Sequence, residues 1–449
     1  MSKQRIQLSD HFTYSRLLRF VLPCIGTMLF TSIYGIVDGL CVSNFVGKTA
    51  FAAVNLIMPL PMLLGTIGFM LGTGGSAIVG ITLGEGDQKK ADRYFTLFLL
   101  AALVSVSVLA VLGIVFLRPI AVLLGAKGEL LDYAVRYGRI LMVSLPTFAL
   151  QNMFQSFFVT AEKPHLGFWF TVGAGCTNMV LDVLMVGIWG WGVEGAAIAT
   201  FISQLVGGVL PVFYFIDRSN SSRLHLCKTS FYSKVLRDAC INGSSELMTN
   251  LSMSLVNILY NYQLLRLAGE NGVAAYGVIM YAAFLFVAVF VGYAVGSAPI
   301  VSFHYGARNH AEVHNLYRKS LRLIAVVAVT LTLASMFIIP CVARIFVGYD
   351  AELLALTSRA FRLYALSFLI MGFNVYASSF FTALGDGVTS ALISFLRTLA
   401  FQVIAILLLP LLLGIDGIWL AVTAAELAAL AVSVAMLLTK DKVFHYRKV

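Results

Sequence analysis

The sequence contains little charge. Only 12% of its 449 residues are Asp, Glu, Lys or Arg, whereas a soluble domain has about 25%. It also lacks a long polar segment that could fold as a separate soluble domain. Hydrophobic residues make up 59% of the chain, and the mean hydropathy is +0.90. These features argue against a soluble protein and predict one that is embedded in a lipid bilayer.

Motifs for metal, nucleophilic or nucleotide chemistry are also missing. No HExxH motif and no His cluster occurs within the apolar stretches, and the GTGGS stretch at 72–76 has no preceding strand that would make it a phosphate loop. We therefore expect neither an enzyme nor an ATP-driven pump, and no cofactor other than a coupling ion. The cysteines lack the spacing of a metal site and are expected to be free thiols: Cys24, Cys41, Cys176, Cys227, Cys240 and Cys341.

The apolar stretches are long enough for about twelve membrane-spanning helices. The first 13 residues are polar and no signal-peptide cleavage site follows them, so the first span is expected to stay in the mature protein. The sequence thus predicts an all-α integral membrane protein. The expected spans lie near residues 15–41, 49–76, 93–117, 131–155, 165–188, 193–216, 237–263, 272–300, 317–341, 357–383, 388–412 and 416–439.

The distribution of Lys and Arg predicts the orientation of these spans. An even number of spans places both termini on one side, and that side would hold 21 of the 31 basic residues, against 9 on the other side and Arg397 within a span. Because basic loops stay in the cytoplasm, both termini are expected to be cytoplasmic. The net charge of +10 then indicates contact with anionic lipid, not with nucleic acid. We expect a monomer in the cytoplasmic (inner) membrane.

The chain repeats itself at a constant offset of 222 residues. The stretch GKTAFAAVNLIMPL, which starts at Gly47, aligns with GENGVAAYGVIMYA, which starts at Gly269, and GVEGAAIA aligns with GIDGIWLA. The chain is therefore expected to form two six-helix lobes, at 1–216 and 237–449, joined by a basic linker at 217–236. Since six is even, the lobes insert in parallel, an arrangement found in secondary transporters. The pairs Gly68/Gly72 and Gly292/Gly296 would allow close helix contacts.

Two aspartates lie in the middle of apolar stretches. Asp38 lies in LFTSIYGIVDGLCV, and Asp182 follows Asn178 by four residues, which places the two on one helix face. A charged side chain at that depth costs about 2.5 to 3.5 kcal/mol on insertion scales, so a functional site is its default interpretation. We therefore expect the chain to move something across the membrane, with these carboxylates involved.

Several of these features resemble the multidrug and toxic compound extrusion (MATE) family, in particular its bacterial DinF-type members. The resemblance rests on the run DGLCVSNFVGKTAFAAVNL after Asp38, the NxxxD of Asn178 and Asp182, the SAPIVSFHYGA segment at 297–307 and the duplicated layout. It implies a twelve-helix antiporter whose two lobes alternate in access. Such proteins export organic cations or other amphipathic compounds in exchange for Na+ or H+.

The resemblance also implies a site in the N-terminal lobe. In related members an aspartate of helix 1, an Asn and an Asp four apart on helix 5 and a threonine of helix 6 bind the coupling ion, and Asp38, Asn178, Asp182 and Thr200 match in type and spacing. Pro23 matches the proline at which helix 1 bends, and a proline removes a backbone hydrogen bond and so permits a bend.

The chemistry of the four residues supports a coupling site. Two carboxylates in a low-dielectric pocket cannot both stay ionised unless a cation joins them, and otherwise a proton is held. The Asp, Asn and Thr oxygens are hard ligands that suit Na+. The alternative is a polar cluster that only holds three helices together. Against it, the second repeat lacks the cluster, because the equivalent residues are Tyr260, Ala400, Ile404 and Val422.

The second half has its own polar candidates in predicted spans, namely Glu246, Arg397, Gln402 and Glu426. Arg397 and Glu426 are expected at similar depth and would neutralise each other as a structural pair. Glu246 is the better functional candidate, either as a second protonation site or as the counter-charge of a cationic substrate. Span ten has no aspartate like the one that some MATE members use for coupling.

The substrate is expected to be a small cationic or amphipathic molecule. Polarizable or adaptable side chains are the candidates for contacting it, although such residues in spans also pack or face lipid. A flippase for a lipid-linked precursor is the alternative function, but such proteins favour basic cavities and only Arg397 is deep in this sequence. The candidate contacts are Met28, Tyr34, Gln151, Asn152, Asn257, Asn261 and Met280.

Overall fold

A computed structural model gives the fold of the chain. It describes residues 6–46, 48–348 and 350–447, and within them the side chains of all but 39–44, 48, 51, 342, 345 and 346. Gly47, one of the repeat positions, and the side chain of Cys41 therefore lie outside the described residues. The other five cysteines are free thiols.

The described elements are helices joined by short turns and by the linker around residues 217–232. Three short π-helical segments follow α6, α7 and α14, at Val183–Ile188, Leu205–Val209 and Leu396–Ala400. The α-helices are α1 Tyr14–Phe45, α2 Lys48–Ile57, α3 Pro59–Gly84, α4 Gln88–Leu123, α5 Glu129–Thr160, α6 Pro164–Asp182, α7 Gly192–Gln204, α8 Leu210–Ile216, α9 Ser233–Asn242, α10 Ser244–Gly306, α11 His310–Val347, α12 Ala351–Ala365, α13 Phe368–Ala383, α14 Gly387–Phe395, α15 Phe401–Leu413, α16 Ile415–Thr439 and α17 Asp441–Phe444.

The helices account for the expected membrane spans. Nine helices of the described chain are long and apolar enough to cross a membrane, or ten if α12 and α13, which meet at a 46° bend, form one span. Helix α10 consists of two helices, because its backbone leaves helical geometry at Gly269 (φ 61°, ψ −151°). Helix α5 is a further long helix, whose first turns carry several charges. The prediction of an all-α membrane protein is confirmed.

Some predicted boundaries were wrong, and local chemistry explains why. The second span starts at Pro59 and runs to Gly84, where 49–76 was expected, because a proline is favoured in the first turn of a helix and α2 ends just before it. The expected span 237–263 is divided at Gly243 into α9 and α10. The GTGGS stretch at 72–76 lies inside α3, as expected.

The two halves repeat the same local structure at the offset of 222 residues. Helices α3 and α10 end at Gly84 and Gly306, and α4 and α11 start at Gln88 and His310. The residues before these starts cap the helices in the same way: Asp87 accepts a hydrogen bond from the Lys90 backbone N–H at 3.0 Å, and Asn309 accepts one from that of Glu312 at 3.1 Å. The repeat seen in the sequence is therefore a structural repeat.

The two halves of the chain meet through equivalent glycine contacts. A Cβ atom on Gly84 would lie 2.0 Å from the carbonyl oxygen of Phe303, and one on Gly306 would lie 2.1 Å from that of Ile81. The expected close pairs have different partners: Gly68 and Gly72 pack on Ala149 and Met153 of α5, whereas Gly292 and Gly296 pack on α1. The absence of a side chain at these glycines thus allows close backbone contacts within the first half and between the two halves.

Both terminal segments lie on the face of the bundle where α3 and α10 end. At the C-terminal segment, the Tyr446 carbonyl oxygen lies 2.9 Å from His314 Nδ1, near the start of α11. The Leu8 backbone N–H donates to Glu162 Oε1 at 2.9 Å, and the Phe12 N–H donates to Glu312 Oε1 at 2.8 Å. Arg223 of the linker forms an ion pair of 2.6 Å with Glu162. The N-terminal segment, the linker and both halves of the chain are therefore connected on this face.

The glycine crossing leads to a stability prediction. We expect Gly84→Ala to lower the unfolding temperature of the purified protein, because the new Cβ must displace a backbone oxygen, and overpacking of this kind costs about 1 to 3 kcal/mol. Gly277→Ala is the matched control, since it lies in α10 with nothing within 4 Å of its Cβ position. Thermal unfolding in detergent measures both variants. Equal unfolding temperatures would contradict the close contact at Gly84.

Candidate functional site

The helices that carry the polar cluster pack together in the first half of the chain. Helix α1 holds Asp38 and packs against α6, which holds Asn178 and Asp182, and α7, which holds Thr200, packs against both. A π-helical segment begins directly after Asp182. Such segments interrupt the regular α-helical hydrogen bonding and occur often at functional sites.

The carboxyl groups of Asp38 and Asp182 lie within hydrogen-bonding reach of each other. Asp182 is 0% exposed, and neither of its carboxylate oxygens receives a hydrogen bond from a described residue. Two ionised carboxylates at this separation repel each other, whereas a shared proton or a bound cation makes the contact favourable. The arrangement of the two carboxyl groups therefore favours the binding of one positive charge.

The other two residues of the cluster differ in their bonding. Asn178 is 2% exposed, and its Nδ2 has no acceptor among the described residues. The Thr200 hydroxyl donates to the Ala196 carbonyl at 3.0 Å, which leaves its oxygen lone pairs available. Because buried polar groups in proteins are normally hydrogen-bonded, the unsatisfied atoms of Asn178 and Asp182 indicate a place for a ligand.

Two tyrosines near the pair were not anticipated as its neighbours. Tyr34 interacts electrostatically with Asp38, and Tyr137 of α5 interacts with both aspartates. Tyr137 is only 1% exposed. Tyr137 lies in α5 and is distant from both aspartates in the sequence, so residue spacing along the chain could not predict that it lies near them.

Pro23 lies inside α1, fifteen residues before Asp38. The backbone of this stretch carries extra hydrogen bonds, because the Thr27 hydroxyl donates to the Pro23 carbonyl at 2.9 Å and the Thr31 hydroxyl donates to that of Thr27 at 2.8 Å. Hydroxyl groups that bond back to helix carbonyls often bend helices. Helix α1 therefore lacks a backbone N–H donor at Pro23, and the carbonyl groups of Pro23 and Thr27 each accept a hydrogen bond from a side-chain hydroxyl.

A cavity of about 550 Å³ lies between the halves of the chain. It reaches the surface at Met62 and Leu63, near the start of α3, whereas the glycine crossing lies at the opposite end of that helix. The cavity is thus closed toward the face that holds both termini. Its lining includes charged, polar and aromatic side chains, among them Glu246, Arg397, Gln402, Glu426, Tyr260, Tyr276, Tyr364 and Phe284.

Two of the charged groups in this cavity form an ion pair. Arg397 Nε lies 2.7 Å from Glu426 Oε1. Asn374 Nδ2 donates to the other oxygen, Oε2, at 2.7 Å, and the Ser433 hydroxyl donates to Asn374 Oδ1 at 2.8 Å. Glu426 is 0% exposed, so the carboxylate is enclosed and each of its oxygens has a donor.

The candidate substrate contacts divide between cavity and interior. Asn257 and Met280 line the cavity. The other five are absent from its lining. Gln151, for example, packs so close to Gly207 that a Cβ there would lie 2.8 Å from the Gln151 Cδ atom. The five are Met28, Tyr34, Gln151, Asn152 and Asn261.

A family comparison explains the repeat. The model of the MatE family matches residues 23–184 and matches again at 247–408, so the two matches fall on the two halves and together cover more than half of the chain. The chain belongs to the MatE family. Each half of this MatE protein therefore contains one copy of the sequence that the family model describes.

Individual relatives cover the chain almost completely. The multidrug export protein MepA of Staphylococcus saprophyticus is 21% identical over 435 residues, which is 96% of this chain and 94% of the relative. MepA of Staphylococcus aureus is 22% identical over 432 residues, with the same coverage. A solved outward-facing multidrug resistance MATE transporter has a TM-score of 0.92 at 22% identity, and the match covers 99% of each chain. This similarity confirms the MATE fold.

Proposed function

We propose that this MatE protein is a secondary antiporter that exports cationic or amphipathic drug-like molecules in exchange for Na+ or H+. The observation that carries the proposal is the contact between Asp38 and Asp182 within a lipid-embedded bundle, with both Asp182 oxygens lacking a donor among the described residues. The names of the MepA relatives support export of more than one compound.

The coupling step takes place between α1 and α6. With a proton or Na+ between Asp38 and Asp182, the two helices attract each other at this point, and without it the carboxylates repel each other. Asn178 and Thr200 supply further oxygen atoms for Na+, as Asp182 and Asp38 do. Occupancy of the site thus shifts the equilibrium between conformations, and Pro23 gives α1 the freedom to follow.

The substrate binds in the cavity and leaves by alternating access. In the observed conformation the cavity opens away from the termini, so it faces outward if both termini are cytoplasmic, as the basic residues favour. The lobes at 1–216 and 237–449 rock about the linker at 217–236. The matching of Asp38, Asn178, Asp182 and Thr200 supports a DinF-type member, and we propose a monomer in the inner membrane.

Transport in proteoliposomes tests the function. We expect the purified wild-type protein to move an organic cation such as ethidium when either a pH gradient or a Na+ gradient is imposed, because the pair can accept either ion. The two gradients are imposed separately, with an ionophore that dissipates each as the control. Absence of ethidium movement under both gradients would contradict antiport, and movement under only one of them identifies the coupling ion.

A further inference from the structure

The charge of the cavity is unevenly distributed between the halves of the protein. Its charged lining residues among the described part of the chain are Glu246, Arg397 and Glu426, which all belong to the second half. Asp38 and Asp182 are not part of the lining. A molecule in the cavity therefore meets a different set of charges from the ion held between α1 and α6.

Only one of these three charges is uncompensated. Arg397 and Glu426 neutralise each other at 2.7 Å, and Asn374 occupies the second oxygen of Glu426. The Glu246 carboxylate, in contrast, has no ion pair or hydrogen bond with any described residue. Its polar neighbours are engaged elsewhere, since the Thr249 hydroxyl donates to the Ser245 carbonyl at 2.8 Å and Asn250 Nδ2 donates to the Glu246 carbonyl at 2.9 Å. The ionised lining thus carries one net negative charge.

Aromatic rings lie on both sides of the Gly269 break in α10 and on α12. The rings of Tyr260 and Tyr276 are stacked, with centroids 4.9 Å apart and planes at 14°, and both residues line the cavity. Tyr364 and Phe284 add further ring surface. Aromatic faces attract cations and stack with planar groups. The volume of about 550 Å³ is in the range of sites for drug-sized molecules.

We propose that Glu246 is the anchor and specificity-determining residue of the substrate site, where it holds the positive charge of a planar organic monocation against the tyrosines of the second half. The inference rests on the proposed export function and adds the residue that selects the substrate. Because this anchor and the aspartate pair lie in different halves, substrate and coupling ion do not exchange on one carboxylate. Their antiport is coupled through the conformation of the lobes.

Binding of ethidium to the purified protein in nanodiscs, followed by fluorescence anisotropy, tests the anchor. We expect Glu246→Gln to weaken ethidium binding by about tenfold or more, because the cation loses the one uncompensated negative charge of the cavity. Glu246→Asp keeps the charge and is expected to stay within about threefold of wild type. Glu270→Gln removes an exposed carboxylate from α10 on the other side of the Gly269 break and serves as the matched control.

A neutral planar dye separates an anchor from a merely structural residue. Nile red binding is expected to be the same in Glu246→Gln and wild type, whereas a collapsed cavity would weaken both dyes. Wild-type ethidium affinity in Glu246→Gln would overturn the proposal, as would equal loss of Nile red binding. Loss of ethidium binding in Asp38→Asn but not in Glu246→Gln would also overturn it and place the substrate in the first half. None of these binding results tests ion-coupled transport, which the proteoliposome experiment measures independently.

Discussion

Replacing Asp38 with asparagine is expected to abolish ion-driven export while the protein still folds. Asparagine retains the size of aspartate and can donate a hydrogen bond to Asp182, which lacks a donor among the described residues. This hydrogen bond would hold α1 and α6 together whether or not an ion is bound. The variant can no longer switch between attraction and repulsion when an ion binds. In proteoliposomes we expect gradient-driven ethidium transport to fall to the level of protein-free vesicles.

A matched variant separates this effect from general loss of a carboxylate. Asp132 lies on the exposed side of α5, and Asp132→Asn should transport like wild type. Both variants are first compared with wild type by size-exclusion chromatography and thermal unfolding, so that inactivity is not confused with misfolding. Gradient-driven export by Asp38→Asn at the wild-type rate would remove Asp38 from the mechanism.

The aspartates could be identified from the sequence because ionisable residues within membrane-spanning helices are rare and usually functional. A carboxylate amid twenty apolar residues is costly wherever its helix points. The spacing of Asn178 and Asp182 then fixes their common face without any tertiary information. The duplicated halves were equally accessible, since a constant offset needs no knowledge of packing, and the helix ends at Gly84 and Gly306 follow that offset.

The faces of the other helices could not be found in this way. In a soluble protein the polar side of a helix points to water, whereas the lipid-facing and core-facing sides of a membrane helix are both apolar. Hydrophobic patterning therefore cannot distinguish Asn257, which lines the cavity, from Gln151, which packs on Gly207. The approach of Tyr137 to the aspartates likewise depends on how α5 packs against its neighbours.

The ion pair between Arg397 and Glu426 shows a different limit of prediction from the sequence. Arg397 and Glu426 could be paired from their expected depth, but Asn374 could not be linked to them, because it lies 52 residues before Glu426 in the chain. Its side chain completes the hydrogen bonding of the carboxylate. A buried pair whose oxygens all have donors has no place for another proton or cation, which favours a structural role over a coupling role.

Removal of one partner from this pair should be strongly destabilising. We expect Glu426→Leu to reduce the free energy of unfolding by about 3 to 5 kcal/mol, because it leaves the Arg397 guanidinium without a counter-charge and Asn374 Nδ2 without its side-chain acceptor. The midpoint of thermal unfolding in detergent should fall by several degrees. Glu194→Gln is the control, since its partner Arg136 lies 3.7 Å away and both side chains are exposed, so that about 1 kcal/mol or less is at stake.

The double variant Arg397→Met/Glu426→Leu decides between the two roles of the pair. Because an apolar replacement of both charges avoids an unpaired ion, it should recover most of the stability that Glu426→Leu loses. If the pair only holds α16 against the π-helical segment Leu396–Ala400, the double variant should also export ethidium under a gradient. If the double variant is stable but does not transport ethidium, Arg397 and Glu426 take part in the transport cycle in addition to the aspartate pair of the first half.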